Sequence, residues 1–375
     1  MDVPLQHLVD QVRSAQAAGA PLCIRGSGSK DFYGGMPAGT PLDVAGLRGI
    51  CSYEPTEMVI TARAGTPIVE LEQALSEHGQ GLAFEPPRYG GGGTLGGMVA
   101  AGLAGPSRAA VGAVRDFVLG LAMIDGRGEV LQFGGQVMKN VAGYDVSRVM
   151  AGSLGVLGVI AEISLKVPPV AAARQTLVLN LDQAAAIDCV QQWTTAALPV
   201  RASAWHRGVL HLRLEGAQAA VESSTRRLLS SHGATVIDPA TADVFWSALR
   251  DQENAFFAAA RPAPLSAERG GDAAAEHLTL WRLSVPPAQP PLSIEGDTLI
   301  EWGGALRWVL SDEPASAIRA LATAAGGHAT AFRGARDRTE VFDKLSPPLE
   351  RIHRNLKAAF DPAHIFNPGR LYPWL

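Results

Sequence analysis

The sequence predicts an α+β protein of two domains, and three observations support this fold class. Helical and strand-like patterns alternate up to about residue 85, a hairpin signal follows at Asp125-Gly126, and the pattern starts again after Pro168 and Pro169. The chain of 375 residues also exceeds the size at which a single core stops growing. We therefore expect a first domain of two lobes, residues 1–85 and 86–170. A smaller α+β cap domain with an antiparallel sheet and helices should follow over residues 171–342. The C-terminal helix and tail, residues 343–375, are expected to dock on the first domain.

Hydrophobic periodicity defines the elements of the first half. Leu5, Leu8 and Val12 share one face at helical spacing, and Gly19 ends that helix. Thr66 is expected to cap a second helix that has Pro67 at its first position. The remaining predicted elements are strands over residues 21–24, 42–44 and 58–64, a hairpin over 117–133, a helix over 144–150 and a strand over 158–167.

After the two prolines, the second half has the pattern of another α+β unit. A polar segment rich in proline, glycine and alanine, residues 262–276, predicts a mobile loop. All seven tryptophans lie in this half, beginning with Trp193, so its core or its interface is rich in indole rings. The predicted elements are a strand over 177–181, a helix over 187–193, a hairpin over 204–214, a helix over 218–230, strands over 278–285 and 306–310, and a helix from residue 314.

Composition excludes several classes of protein. The net charge is −4 and no basic run occurs, so the sequence offers nothing that would bind a nucleic-acid backbone. No stretch approaches the roughly 20 apolar residues of a membrane helix. Three cysteines without CxxC spacing indicate neither a disulfide framework nor a zinc site. The N-terminus lacks the apolar core of a signal peptide, so we expect a cytoplasmic location.

Two glycine-rich segments indicate a phosphate-binding site. The first is RGSGSK, Arg25 to Lys30, and the second is GGGGTLGG, Gly90 to Gly97. A diphosphate needs several backbone N–H donors aimed at one point, and glycine allows the tight turns that aim them. Each segment alone is also compatible with an ordinary turn or a flexible loop, but two such loops on one chain suit a dinucleotide. A P-loop and a Rossmann GxGxxG fingerprint are both absent.

Three segments in a fixed order carry a family resemblance. IRGSGSK, then PPRYGGGGTLGGMVAAGLAGPSRAAVGAVRDFVLG, then VMKNVAGYDVSRVMAGSLGVLGVIAEISLKV resemble the FAD-binding domain of the vanillyl-alcohol oxidase/PCMH flavoprotein superfamily. The closing FDPAHIFNPGR resembles the usual C-terminus of that family. Within the family, the short length and the segments WGGALRW and GGHATAFRG most resemble the FAD-binding subunits of bacterial glycolate oxidases. The resemblance implies a two-lobed PCMH-type FAD-binding domain with a cap.

The resemblance also implies which residues bind non-covalent FAD. Gly105 and Ser107 would lie near the flavin, and the backbone of Gly158, Val159 and Ile160 would lie near its adenosine or isoalloxazine edge. No histidine or cysteine is suitably placed for covalent attachment. The residues expected on the pyrophosphate are Arg25, Gly26, Ser27, Gly28, Ser29, Lys30, Gly91, Gly92, Gly93, Thr94, Gly96 and Gly97.

The second half lacks the histidine-rich HxGDGNxH motif with which relatives that oxidise 2-hydroxy acids hold a metal and accept a proton. The nearest pair of histidines, His206 and His211, is expected on opposite faces of a strand, so no metal site is predicted. Arg307 and Arg333 remain as weak candidates for binding a substrate carboxylate. The alternative is a tryptophan cluster in the core or interface beside a solvated arginine.

These observations favour the FAD-carrying subunit of a complex that oxidises glycolate, or another small 2-hydroxy acid, to the 2-oxo acid. The expected partners are a second flavoprotein subunit that bears the histidine motif and an iron–sulfur subunit, because this chain has no cysteine ligands for a cluster. Contact with the inner membrane would come only through partners. Two alternatives stay open: a stand-alone FAD-dependent oxidase or dehydrogenase of another small hydroxy acid or alcohol, and a non-catalytic assembly subunit with a vestigial flavin site.

Overall fold

The structure is a computed structural model that describes residues 2–90, 92–135, 145–260, 278–335 and 337–375. It is an α+β fold with a five-stranded and an eight-stranded antiparallel sheet and a pair of parallel strands near the N-terminus. The predicted loop over 262–276 and the predicted phosphate-binding Gly91 lie outside the described residues. The division into domains at residues 170 and 342 stays a prediction.

The N-terminal half begins with a helix that Asp2 caps, since its side chain accepts a hydrogen bond from the amide of Leu5, and Gly19 ends that helix in the left-handed conformation. The helices of this half are α1 (Val3–Ala18), α2 (Ile68–Ser76), α3 (Leu95–Ala101), α4 (Arg108–Val111) and α5 (Val146–Val149). The strands are β1 (Leu22–Arg25), β2 (Thr40–Asp43), β3 (Ile50–Glu54), β4 (Val59–Arg63), β5 (Val118–Ile124), β6 (Val130–Gly134) and β7 (Val159–Lys166).

The second half supplies the larger sheet and the C-terminal helix. Its strands are β8 (Ala173–Asn180), β9 (Val200–His206), β10 (Val209–Gly216), β11 (Thr235–Val236), β12 (Thr279–Ser284), β13 (Asp297–Glu301), β14 (Leu306–Ser311) and β15 (His328–Arg333). Its helices are α6 (Gln183–Thr195), α7 (Gln218–His232), α8 (Pro239–Arg250), α9 (Ala255–Ala258), α10 (Ala315–Ala324) and α11 (Pro347–Phe360).

Sheet order explains how distant segments meet. The five-stranded sheet runs β3-β4-β7-β5-β6, and the eight-stranded sheet runs β11-β8-β10-β9-β13-β14-β12-β15. Strands β1 and β2 pair in parallel, and a parallel bridge joins Leu22 of β1 to Phe366 in the C-terminal tail. The tail therefore returns to the strand that leads into the first glycine-rich loop.

One hydrophobic cluster joins the two halves of the chain. From the N-terminal half it takes Tyr33, Leu103 and Leu154, which pack with aromatic side chains of the second half such as Trp308 and Phe332. Burial of aromatic rings on this scale favours a fixed arrangement of the two halves. Tyr89, Ala101 and Leu103 are therefore packed against side chains of the second half.

Several elements differ from the predictions. Thr66 does not cap α2; Pro67 is the cap residue, and the Thr66 hydroxyl exchanges hydrogen bonds with the backbone of Gly49. Strands β3, β13 and β15 were not predicted, because each is short and its apolar pattern is interrupted by polar residues. Helix α8 was also missed, although Asp238 before Pro239 is a start signal for a helix.

Candidate functional site

A cavity of ≈ 90 Å³ opens where β1 ends, and we call it the nest cavity. It is lined by residues 24–31, by one side of the segment from Thr94 to Ala101, by Leu154, and by the C-terminal tail at Asn367 and Arg370. The two glycine-rich loops predicted to share a ligand are thus brought together at one site.

The first loop presents free backbone donors to the nest cavity. The amides of Ser27, Gly28 and Lys30 donate to no atom in the part of the chain that the structure describes, whereas that of Ser29 lies 3.5 Å from the Ser27 hydroxyl. Gly28 has φ 74°, a left-handed conformation that glycine adopts without strain. Several N–H groups without partners on one turn form a concave anion site.

The second loop packs directly against the first. A Cβ on Gly26 would lie 2.5 Å from the Thr94 hydroxyl, and one on Gly93 would lie 2.6 Å from Ile68 Cδ1. Thr94 caps α3, with its hydroxyl 3.3 Å from the amide of Gly97. At Gly26 the approach of the two loops leaves no room for a side chain, and at Gly93 a side chain would press on Ile68 of α2.

Cationic side chains surround these amides. Burial lowers the pKa of Lys30 to about 8, so a negatively charged ligand beside it would favour its protonated form. Arg25 pairs with Asp31 at 2.6 Å. An excess of positive charge and free amide donors is the donor set that a diphosphate requires.

The third wall of the nest cavity comes from the C-terminal tail. Asn367 accepts a hydrogen bond from the amide of Ile24 at 2.7 Å and donates one to the carbonyl of Leu154 at 2.7 Å. Arg370 donates to the carbonyls of Gly35 and Lys30, and burial lowers its pKa to about 10. The sequence analysis expected this NPGR segment to dock on the first domain, and the structure adds that it lines the cavity.

A second, more enclosed cavity lies between the segment 87–106 and the eight-stranded sheet, and we call it the interface cavity. Its void is ≈ 20 Å³, room for about one water molecule. It is lined by Pro87, Tyr89, Leu103, Ala104, Gly105, Pro106, Leu249, Arg250, Gln252, Arg282, Glu301, Leu306, Trp308 and Phe332. None of its charged residues was predicted as a site residue.

Two ionisable side chains of the interface cavity stand out. Glu301 is 5% exposed, its Oε1 accepts a hydrogen bond from Trp308 Nε1 at 2.7 Å, and burial raises its pKa to about 7. Arg282 lies 5.3 Å from the centre of the Trp302 ring, and its charge lowers the pKa of Glu301 against the effect of burial. A carboxyl group and a guanidinium therefore face one small void.

Gly105 and Ser107, predicted near the flavin, contact the second half of the chain. The carbonyl of Gly105 accepts from Trp302 Nε1 at 2.9 Å. The hydroxyl of Ser107 accepts from Arg213 at 2.6 Å and from Arg201 at 3.1 Å. The geometry gives both residues a role in joining the two halves, and their contact with FAD stays a prediction.

The other predicted residues are spread out. Gly158, Val159 and Ile160 lie in the core, where a Cβ on Gly158 would meet Met123 and Ile124, and they line neither cavity. Gly92 is exposed, and Gly96 packs on Ala64. Their backbone contacts with FAD stay predictions.

The two candidate arginines differ from each other. Arg307 is 1% exposed, so it is not the solvated arginine of the alternative interpretation. Its guanidinium stabilises a loop, because it donates to the carbonyls of Gly304, Pro290 and Gln289. Burial lowers its pKa to about 10.

Arg333 lies beside aromatic side chains of the N-terminal half. Its guanidinium is 4.3 Å from the Phe32 ring centre and 5.7 Å from that of Tyr89, and it donates to Gln252 at 3.1 Å. Its role as a substrate anchor stays a prediction.

His206 and His211 are on one face of the sheet, contrary to expectation. The chain turns at Arg207 and Gly208, so His211 pairs with Ala204, two residues before His206. His206 binds Asp297 at 3.0 Å, and His211 stacks on Phe245. Within the described ranges, no group of three histidine, cysteine, aspartate or glutamate side chains is arranged to hold a metal ion.

Comparison with known proteins agrees with this geometry. Residues 5–134 match the FAD binding domain family. The chain is 44% identical to glycolate oxidase subunit GlcE of Escherichia coli (strain K12) over 367 residues, which cover 98% of this chain and 97% of that protein. It is 30% identical to glycolate oxidase subunit GlcD of Bacillus subtilis (strain 168) over 171 residues, 44% of this chain and 36% of the relative.

Solved structures show the same fold. An alkyldihydroxyacetonephosphate synthase superposes with a TM-score of 0.66 at 15% identity, over 97% of this chain and 74% of the synthase. The predicted fold class, α+β with a PCMH-type FAD-binding domain, is confirmed, as is FAD as the cofactor.

Proposed function

The chain belongs to the family of the glycolate oxidase subunit GlcE, and from this premise we propose that it is the FAD-carrying subunit of a complex that oxidises glycolate to glyoxylate. The observation that carries the proposal is the nest cavity, where both glycine-rich loops, Lys30 and Arg370 converge on one set of free amides. The first loop keeps amides without partners in the described part of the chain beside Lys30 and Arg370, which favours a working flavin site over a vestigial one.

The residues of this chain bind and orient the cofactor. The amides of the first loop and the cations Lys30 and Arg370 would hold the pyrophosphate, and the small residues Gly97, Ala100 and Ala101 leave space beside it. The aromatic rings of Phe32 and Tyr89 pack edge to face, with their centres 5.1 Å apart. Bound FAD supplies a two-electron acceptor that releases electrons singly or in pairs.

We propose that the electrons leave through other subunits. Oxidation of a hydroxy acid to an oxo acid releases two electrons, and this chain has three cysteines that do not cluster as ligands for an iron–sulfur centre. A second flavoprotein subunit similar to GlcD and an iron–sulfur subunit are the proposed partners.

We also propose that any membrane association comes through those partners. Among the described helices, none has the length and apolar character needed to cross a bilayer.

The test is to purify the full chain alone and with its partner subunits. We expect the chain alone to show flavin absorbance that glycolate does not bleach, and the complex to be bleached. Bleaching of the isolated chain would favour the stand-alone oxidase instead. A colourless chain, even after reconstitution with FAD, would favour the vestigial subunit.

A further inference from the structure

The chain that leaves the first glycine-rich loop, residues 30–36, is held by an arginine of the second half, and we call it the clamped turn. Arg338 follows β15 and is half-buried, and its Nη2 lies 2.8 Å from the carbonyl oxygen of Asp31 and 2.6 Å from that of Gly34. The same nitrogen lies 3.2 Å from the carbonyl oxygen of Gly35. Carbonyls of an irregular turn need donors, and a charged donor binds them more strongly than a neutral one. Arg338 therefore fixes the course of the clamped turn.

The clamped turn is continuous with the donors of the nest cavity. The amide of Asp31 donates to the carbonyl of Gly28 at 3.0 Å, which closes the first glycine-rich loop. Arg370, which lines the nest cavity, donates to the carbonyls of Lys30 and Asp31 in the same turn. A displacement of the clamped turn would therefore move the amides between Ser27 and Lys30 that face the nest cavity.

Aromatic rings of the second half also contact the clamped turn. The ring centre of Phe32 lies 5.6 Å from that of Phe332 on β15. Tyr33 contacts Phe332 at 5.1 Å and Phe342 at 5.5 Å, so the rings that meet it stand before and after Arg338 in the sequence. Arg338 is not among the described residues that line the nest cavity. Its effect on a ligand there would be transmitted by the clamped turn.

The clamped turn also lies among positive charges. The carboxylate of Asp31 pairs with Arg25 at 2.6 Å. Burial lowers the pKa of Arg338 and of Arg370, and the charge of Asp31 acts in the opposite direction. Arg338 also lowers the pKa of Arg370, so the two guanidiniums are close enough to repel each other. Three described guanidiniums thus share the carboxylate of Asp31, and a diphosphate in the nest cavity would offset their repulsion.

We propose that Arg338 is a positioning residue for FAD, which ties the second half of the chain to the phosphate-binding loop, so that FAD binding and the packing of the two halves strengthen each other. This inference rests on the proposed function, which places the pyrophosphate of FAD in the nest cavity. Coupling between two equilibria acts equally in both directions. FAD should therefore stabilise the contact of β15 with the clamped turn, and loss of that contact should weaken FAD binding.

The first measurement is the affinity of the full-length apoprotein for FAD, from a fluorescence titration. Arg338→Met removes the donors and keeps an unbranched side chain, and we expect it to bind FAD about tenfold more weakly, within the range common for coupled equilibria. Excess FAD should then raise the free energy of unfolding in urea by about 1.4 kcal/mol less than in the unmodified chain, which is the equivalent of tenfold. A purely structural defect would lower stability equally with and without FAD.

The second measurement follows hydrogen exchange of β15, residues 328–333, by mass spectrometry. These residues are not among the described residues that line the nest cavity. In the unmodified chain, FAD should slow their exchange, because it stabilises the clamped turn on which Phe332 packs. In Arg338→Met at the same FAD saturation, most of this slowing should be lost.

Two further variants complete the test. Arg226→Met is the matched control, because Arg226 is an exposed arginine of α7 in the second half, and it should bind FAD like the unmodified chain. Arg338→Lys keeps the charge without the planar fork, so its FAD affinity should lie between those of Arg338→Met and the unmodified chain. It carries the test if Arg338→Met does not fold.

The results also separate this inference from the proposed function. Normal FAD affinity in the Arg338 variants, or an unchanged effect of FAD on β15, would overturn the positioning role and leave the proposed function intact. An unmodified chain that binds no FAD would overturn both.

Discussion

The nest cavity and the interface cavity differ in how their residues are distributed along the chain. Two short glycine-rich segments supply most of the nest cavity, and the donors they offer are backbone amides. The interface cavity takes Tyr89, Arg282 and Glu301 from separate elements, and the groups it offers are side chains. A backbone site depends on the space that glycine leaves, whereas a side-chain site depends on charge and burial. Each is therefore broken by a different kind of substitution.

The nest cavity depends on a buried ion pair that holds the C-terminal tail in place, and loss of this pair should give the largest effect. Lys357 and Asp361 are both fully buried and 2.7 Å apart, and Lys357 also donates to the carbonyls of Val156 and Phe366. Lys357→Met would leave the Asp361 carboxylate buried without its cation, which costs about 3–5 kcal/mol. We expect lower unfolding midpoints in urea and loss of flavin, because the tail carrying Asn367 and Arg370 would loosen.

The matched control is Lys344→Met, since that lysine is 83% exposed. It should change neither stability nor flavin content. If Lys357→Met kept its flavin while losing stability, the tail would not be needed for the nest cavity.

The interface cavity should respond to pH between about 4.5 and 7, below the pKa of about 8 at which Lys30 of the nest cavity titrates. Between its ordinary value of 4.5 and its folded value of about 7, Glu301 holds a proton in the folded chain that the unfolded chain has lost. Stability therefore falls as the pH rises through this window and stays lower above it. Glu301→Gln, whose amide oxygen still accepts from Trp308, should be more stable than the unmodified chain by about 2–3 kcal/mol at pH 8 and equal to it near pH 4.5.

Denaturant titrations at the two pH values measure this difference. Glu222→Gln, on the exposed face of α7, serves as the control and should show no pH-dependent gain. An equal gain at both pH values would mean that Glu301 has the same pKa in the folded and the unfolded chain, so that burial does not shift it.

The two cavities also differ in how far sequence could predict them. Each loop of the nest cavity is one continuous stretch of sequence, so its glycines alone indicated a shared diphosphate. The fold class followed from hydrophobic periodicity. Asn367 was assigned only to docking, because its approach to β1 depends on a bridge between residues far apart in sequence. Its signal was the NPGR turn.

The interface cavity could not be predicted, for a physical reason. Glu301 ends β13, a short strand whose apolar run is too brief to show a period of two, and Arg282 occupies a central strand where sequence favours apolar residues. Their proximity depends on the strand order β13-β14-β12, which is long-range information. Arg307 became a candidate because tryptophans stand beside it in the WGGALRW segment. Arg282 and Glu301 belong to no local motif.

Gly26 tests the backbone character of the nest cavity. Gly26→Ala would place a methyl group 2.5 Å from the Thr94 hydroxyl, and overpacking of this kind costs about 1–3 kcal/mol, or about 5- to 150-fold in FAD affinity. Gly46→Ala is the control, because a Cβ at Gly46 meets nothing within 4 Å. Fluorescence titration of apoprotein with FAD gives both affinities. Equal affinities in the two variants would show that the two glycine-rich loops can move apart without loss of FAD binding.

Ser107 gives the finest test of the difference between the two regions. The family resemblance places it near the flavin, whereas in the structure its hydroxyl accepts hydrogen bonds from Arg213 and Arg201. Ser107→Ala leaves part of the buried guanidinium of Arg213 unsatisfied, so we expect a loss of about 1–2 kcal/mol in stability and FAD affinity within about twofold of normal. Ser76→Ala, on the exposed face of α2, should change neither quantity. A tenfold loss of FAD affinity at unchanged stability would instead place Ser107 at the flavin. In that case the segment after the second glycine loop would serve the nest cavity as well as the contact between the two halves.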